Sequence, residues 1–147
     1  MSDHLEVSGI EKLKGIAAGE LAKPPMWELI GLSLVAVKDG EATFVCTPKQ
    51  AHLNPWGVAH GGLAATLLDS AVGCSIQTLL PAGVSYTTLE LKINYIRPMT
   101  PEMGEVRAIG TAVHVGRRSA VAEGQIIDKN GKLIARASTT CMVFRPD

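Results

Sequence analysis

The chemistry this chain could do is concentrated in His60-Gly61-Gly62 and in one acid, Asp69, eight positions after Gly61. The glycine pair opens an apolar stretch, LAATLLDSAVGCSIQTL, in which Asp69 is the only charged residue. Good helix formers without proline make a helix of Gly62 to about Leu79. The first N–H groups of a helix lack internal partners, and its dipole favours negative charge there. Paired glycines let the backbone turn sharply and let a ligand approach it. Together they form an oxyanion site for a carbonyl that becomes tetrahedral. Equally, the same three residues serve as a plain turn into a helix.

Asp69 adds a second function. A helix apolar nearly all round must be buried, and a carboxylate within it is costly unless something uses it. Thr66, Asp69 and Gly73 fall at steps of three and four and share one stripe. With Ser70, the small residues of this stripe leave room for a ligand. The structural alternative is an Asp69 held by backbone or by an arginine. Reach then becomes decisive. Eight helical positions span ~12 Å at ~1.5 Å per residue, so one carbonyl cannot lie ~3 Å from both Gly61 and Asp69 of one chain. If both act on it, Asp69 comes from a second subunit whose helix runs antiparallel, with two sites per symmetric pair.

Asn54, six residues before His60, is the third candidate, its amide orienting a carbonyl or a water. Asn54-Pro55 is also a turn former. His60 is either a general base or a histidine packed at the helix entrance. No Cys or Ser nucleophile stands at recognisable spacing, and His4, His52, His60 and His114 lack metal-ligand spacing, so no metal is expected.

The elements that must position these residues are mostly strands. Leu89, Leu91, Ile93 and Tyr95 alternate with Thr88, Glu90, Lys92 and Asn94, which predicts a strand with one wet face, closed by Pro98 and Pro101. Phe44 and Cys46 alternate similarly after a first strand starting near Gly31. Glu105 to Val115, Ser119 to Ile127 and Leu133 to Phe144 read as three more. Asn130-Gly131 marks a hairpin in which both residues tolerate positive φ. Val7 to Leu21 carries Ile10, Leu13, Ala17 and Leu21 at helical steps, ended by Pro24-Pro25, and Met26 to Ile30 forms one more turn before the first strand. The expected architecture is α+β, one long helix wrapped by a curved antiparallel sheet of five or six strands. Residues 1–147 form one domain, with 1–25 as a helical extension.

Fourteen Lys and Arg balance fourteen Asp and Glu over 147 residues. There is no global basic field for nucleic acid or an anionic membrane, and an acidic ligand needs a local cation cluster. With 46% hydrophobic and 19% charged residues, the apolar surplus suits subunit interfaces. Cys46, Cys74 and Cys141 lie in apolar runs without CxxC spacing and read as buried thiols in a reducing compartment. Neither a secretory signal nor a membrane span is evident, and the expected address is the cytoplasm.

The joint pattern from Asn54 to Ala71, HGG with Asp69 seven residues after its last glycine, resembles the hotdog-fold acyl-CoA thioesterases of the phenylacetate-degradation (PaaI-like) type. These are related to hydroxybenzoyl-CoA and dihydroxynaphthoyl-CoA thioesterases. The resemblance covers about Met26 to Phe144. It implies two chains joined into one continuous sheet with antiparallel helices, dimers that associate into tetramers, and an acyl-CoA substrate without further cofactor. It implies Asp69 as nucleophile or general base, the Gly61 N–H polarising the thioester carbonyl, and Asn54 positioning carbonyl or water. Gly62, Thr66 and Gly73 would lie against substrate. Some relatives carry a Thr one turn after the acid, where this chain has Gly73. Arg97 and the run Arg117-Arg118-Ser119 resemble places where the family meets the nucleotide end of CoA, ahead of Lys92 and Arg136. Acyl-CoA binding without cleavage, and enoyl-CoA hydration by an Asp and His together, are the competing expectations.

Overall fold

The computed structural model describes residues 6–147. His4 and the start of the expected extension lie outside the described residues. Among these residues three α-helices and six strands follow in the order α1 (Gly9–Ala17), α2 (Pro25–Ile30), β1 (Ser33–Lys38), β2 (Glu41–Cys46), α3 (Gly61–Gln77), β3 (Ser85–Tyr95), β4 (Val106–Val115), β5 (Ser119–Ile127) and β6 (Leu133–Phe144). The strands form one sheet in the order β1-β2-β4-β5-β6-β3, every neighbouring pair antiparallel. This is the expected α+β hotdog arrangement, with α3 lying in the curve of a six-stranded sheet.

The N-terminal helix is shorter than its periodicity predicts. It ends at Ala17, because Gly19 at φ 77° takes the left-handed turn and the N–H groups of Gly19 and Glu20 return to the carbonyls of Ile16 and Gly15. A glycine thus stops the helix before the prolines are reached. Pro25 does the opposite of ending a helix: it opens α2 at the first helical position, where its missing N–H costs nothing. Gly31, at φ 87°, then closes α2, and the first strand starts later than expected, at Ser33. The Asn130-Gly131 hairpin also differs in detail. Only Gly131 has positive φ, and its N–H returns to the carbonyl of Asp128. Asp128 Oδ1 accepts the N–H groups of Asn130 and Lys132, so the carboxylate shapes the turn.

Leu67, Leu68, Ala71, Val72 and Ile76 of α3 are fully buried against the sheet. Each large aliphatic side chain among them contributes about 1.5–3 kcal/mol. Trp27 of α2 meets Phe44 of β2 edge to face, with centroids 4.8 Å apart, and closes one end of this core. The helix lies close over β4 and β5. Gly110 and Gly124 face each other across that strand pair, and a Cβ on Gly110 would stand 2.0 Å from the Ala71 carbonyl oxygen. Gly110→Ala is therefore expected to lose at least the ~1–3 kcal/mol typical of core overpacking. A urea titration with an unchanged midpoint would contradict this contact.

Candidate active site

The start of α3 is built by His60. Its backbone, at φ −54° and ψ 139°, turns the chain into the helix, and its Nδ1 accepts the N–H of Gly62 at 2.8 Å. Its carbonyl accepts the N–H of Leu63 at 2.9 Å. The N–H of Gly61 meets no acceptor among the described residues. One oriented donor is thus left over at the positive end of the helix dipole, the arrangement an oxyanion requires. Because Nδ1 serves as an acceptor, the ring hydrogen is assigned to Nε2. His60 is consequently a cap that presents a donor, and the general-base alternative loses its lone pair to the helix.

The loop before it is folded by Asn54. Its Oδ1 accepts the N–H groups of Trp56 at 3.0 Å and Val58 at 3.4 Å, and a Leu53–Ala59 bridge draws the loop closed. The turn-forming alternative is what the oxygen does. The amide nitrogen remains the group with which Asn54 could meet a substrate. Its neighbour Trp56 is 84% exposed.

Asp69 departs from the expectation of a buried carboxylate. The sheet covers most of α3 but leaves a narrow stripe uncovered, and Gly62 and Asp69 are exposed on it. Asp69 Oδ1 accepts the hydroxyl hydrogen of Thr88 at 2.9 Å. Among the described residues the one ion pair is Lys38–Glu41, so no arginine holds Asp69.

Thr88 is the residue that alternation misplaced. The register between β3 and β6 shifts between Thr88 and Glu90, which makes Leu89 the inserted residue of a β-bulge, and Leu89 is 56% exposed. The bulge exchanges the two faces of the strand. Tyr86 and Thr88 before it, and Leu91, Ile93 and Tyr95 after it, all turn towards α3. Because β3 runs against α3, these side chains meet the helix in reverse order. Tyr86 packs on Gly73, Thr88 bonds Asp69, Leu91 lies beside Thr66, and the Tyr95 hydroxyl donates to the Gly61 carbonyl at 2.8 Å. Gly73 is accordingly not an opening for substrate. A Cβ there would stand 2.5 Å from the Tyr86 hydroxyl, so the absent side chain makes room for tyrosine.

Gly61 and Asp69 line different grooves of one chain. Val58, His60, Gly61, Tyr95, Arg97 and Met99 border a groove of about 330 Å³. Trp27, Thr66, Asp69, Ser70, Thr88 and Leu91 border another of about 470 Å³. The cations are divided likewise. Arg97 borders the first groove, whereas Arg117, Arg118 and Ser119 lie exposed at the β4–β5 turn. That turn belongs to the opposite end of α3, where Val72, Ile76 and Leu80 pack on Ala120 and Val143. Arg145, which pattern reading passed over, reaches back to the carbonyls of Arg117 and Gly116 at 3.2 and 3.4 Å and adds a third cation there. Ser119 also donates structure to the turn, its carbonyl accepting the N–H of Gly116.

The thiols take no part. All three cysteines are free and buried, and burial pushes the Cys74 thiol up to about 12, so it stays neutral. Among the described residues no group of His, Cys, Asp or Glu has the arrangement of a metal site, and no helix is long and apolar enough to cross a membrane.

Residues 57–135 match the family model described as the thioesterase superfamily. The chain is 27% identical over 116 residues to the 1,4-dihydroxy-2-naphthoyl-CoA hydrolase of Listeria monocytogenes, spanning 79% of this chain and 93% of the relative. Among solved structures, a conserved protein of Pseudomonas aeruginosa is 34% identical with a TM-score of 0.78, covering 83% of this chain and 95% of that one. The phenylacetic acid degradation protein PaaI of Thermus thermophilus, solved in a mutant form, is 30% identical with a TM-score of 0.74, covering 84% of this chain and 100% of that one.

Proposed function

The chain belongs to the thioesterase superfamily and is a thioester hydrolase, and from that premise we propose that it cleaves aryl- or medium-chain acyl-CoA in sites shared between two copies. The observation that carries this reading is the division of the machinery. The free Gly61 donor and the Thr88-bound Asp69 lie in separate grooves, both alongside β3. β3 is an eleven-residue strand at the edge of the sheet. An unpaired edge of that length is a template for another strand. Antiparallel pairing of two β3 edges would run the two α3 helices antiparallel, and each Gly61 would then approach the other chain's Asp69. The same two-fold axis would carry the Arg117–Arg118 end of one chain towards the Arg97 end of the other, a local cation cluster for the phosphates of CoA. Dimers of this kind would associate further into tetramers.

In this site R–CO–S–CoA and water give R–COOH and CoASH. The Gly61 N–H stabilises the negative charge that develops on the carbonyl oxygen, and the Asn54 amide nitrogen is a second donor for carbonyl or water. Asp69 acts through the carboxylate oxygen that Thr88 leaves free, either by attacking the carbonyl carbon or by taking a proton from water. Thr66 and Ser70 border the space for the acyl group. Because His60 Nδ1 already accepts the Gly62 N–H, the ring offers no free lone pair to a hydratase, which disfavours that reading. Buried free thiols suit the cytoplasm.

The test is release of free thiol from a panel of aromatic and aliphatic acyl-CoAs. Turnover is expected, fastest on aryl or medium-chain substrates. Tight binding of acyl-CoA with no thiol released from any member would favour a carrier and reject this function.

A further inference from the structure

We infer that Tyr95 is a positioning residue which, together with His60, clamps the backbone around Gly61 and so aims the oxyanion donor. The inference rests on the reading of Gly61 as that donor. Two consecutive glycines at the fraying end of a helix are the least restrained backbone a chain can offer. A catalytic donor has to be held within about 0.5 Å of its place. Something outside the glycines must supply the restraint.

Both peptide groups flanking the Gly61 Cα are held. The group between Gly61 and Gly62 is gripped at its two polar atoms: its oxygen accepts the Tyr95 hydroxyl at 2.8 Å, and its N–H donates to His60 Nδ1 at 2.8 Å. The group between His60 and Gly61 is held by its oxygen, which accepts the Leu63 N–H at 2.9 Å. The one polar atom of these two groups left without a partner is the Gly61 nitrogen. Tyr95 also backs the glycine sterically, its ring atoms lying 3.3–3.4 Å from where a Cβ on Gly61 would stand. The ring arrives there because the bulge at Leu89 turns the second half of β3 inward.

Tyr95→Phe removes the hydroxyl and keeps the ring, the strand preference and the steric backing. Its kcat is expected to fall about 5–10-fold, the loss of one net hydrogen bond, with KM changed less than about twofold, since no substrate contact is removed. Amide hydrogen exchange gives a readout independent of turnover. The Gly62 N–H should exchange several-fold faster in the variant, while Leu67 to Cys74 in the middle of α3 keep their rates. If the parent protein cleaves no acyl-CoA, the proposed function fails and exchange at Gly62 still decides the clamp. A variant with parental kcat and parental exchange overturns the inference. So does a raised KM with kcat intact, which would make Tyr95 a substrate contact, or faster exchange along all of α3, which would make its role general stability.

Discussion

Asp69→Asn is expected to melt where the parent does and to lose at least about 10²–10³-fold in kcat, no less than removal of an oxyanion donor. The substitution is nearly isosteric, and the amide oxygen of Asn can still accept the Thr88 hydroxyl that Asp69 accepts at 2.9 Å. Fold and orientation are therefore kept, and what disappears is the negative charge, which both possible steps need. An amide neither attacks a thioester as a carboxylate does nor takes a proton from water. Asp69 is exposed and has no ion-pair partner among the described residues, so its neutralisation leaves no orphaned cation. Steady-state kinetics beside a thermal melt separate the effects. A variant retaining most of its kcat removes Asp69 from the mechanism.

Gly61→Pro should be comparably damaging, for a different reason. Proline has no N–H, and its fixed φ suits the first position of a helix. The residue before it must be extended, and His60 already is, at ψ 139°. The variant deletes the proposed donor with little demand on the backbone, although Tyr95, 3.2–3.4 Å from a Cβ at this position, must yield slightly. An activity loss of ~10²–10³-fold is expected. Together the two variants probe the shared site. In a mixed dimer, one site carries both defects and the other carries neither. Equal amounts of the two inactive variants, unfolded and reassembled together, should recover about a quarter of parental activity: half the dimers are mixed, each with one working site. Recovery of nothing from a properly assembled mixture would return both residues to one chain and break the proposal.

The general plan of the fold was legible because its signals are long. α3 has no proline over seventeen residues and begins at a glycine pair, and the last three strands agree with their apolar runs to within a residue. The reach between Gly61 and Asp69 needed only helix geometry. What could not be read came from single residues that change a local count. Gly19 ends α1 ahead of two prolines that look like the stronger stop. Leu89 sits in an alternation so regular that nothing local marks it as the inserted residue, and with it went Thr88 and the inward turn of Tyr86. Gly73 reads as open space, whereas the tyrosine that fills it is thirteen positions away and on another element. Arg145 follows the last strand, and its approach to the β4–β5 turn depends on where β6 ends. Each omission is a tertiary effect on a short signal.

The inserted leucine also constrains how β3 can vary. Two stretches of opposite parity address the same helix only because of one extra unit between them, much as a vernier brings two scales into coincidence at a chosen mark. Removing that unit does not shorten a surface feature harmlessly. It puts either Tyr86 and Thr88 or Leu91, Ile93 and Tyr95 on the far side of the sheet, so a deletion at one solvent-facing position would uncouple the acid from its hydroxyl or the helix entrance from its tyrosine.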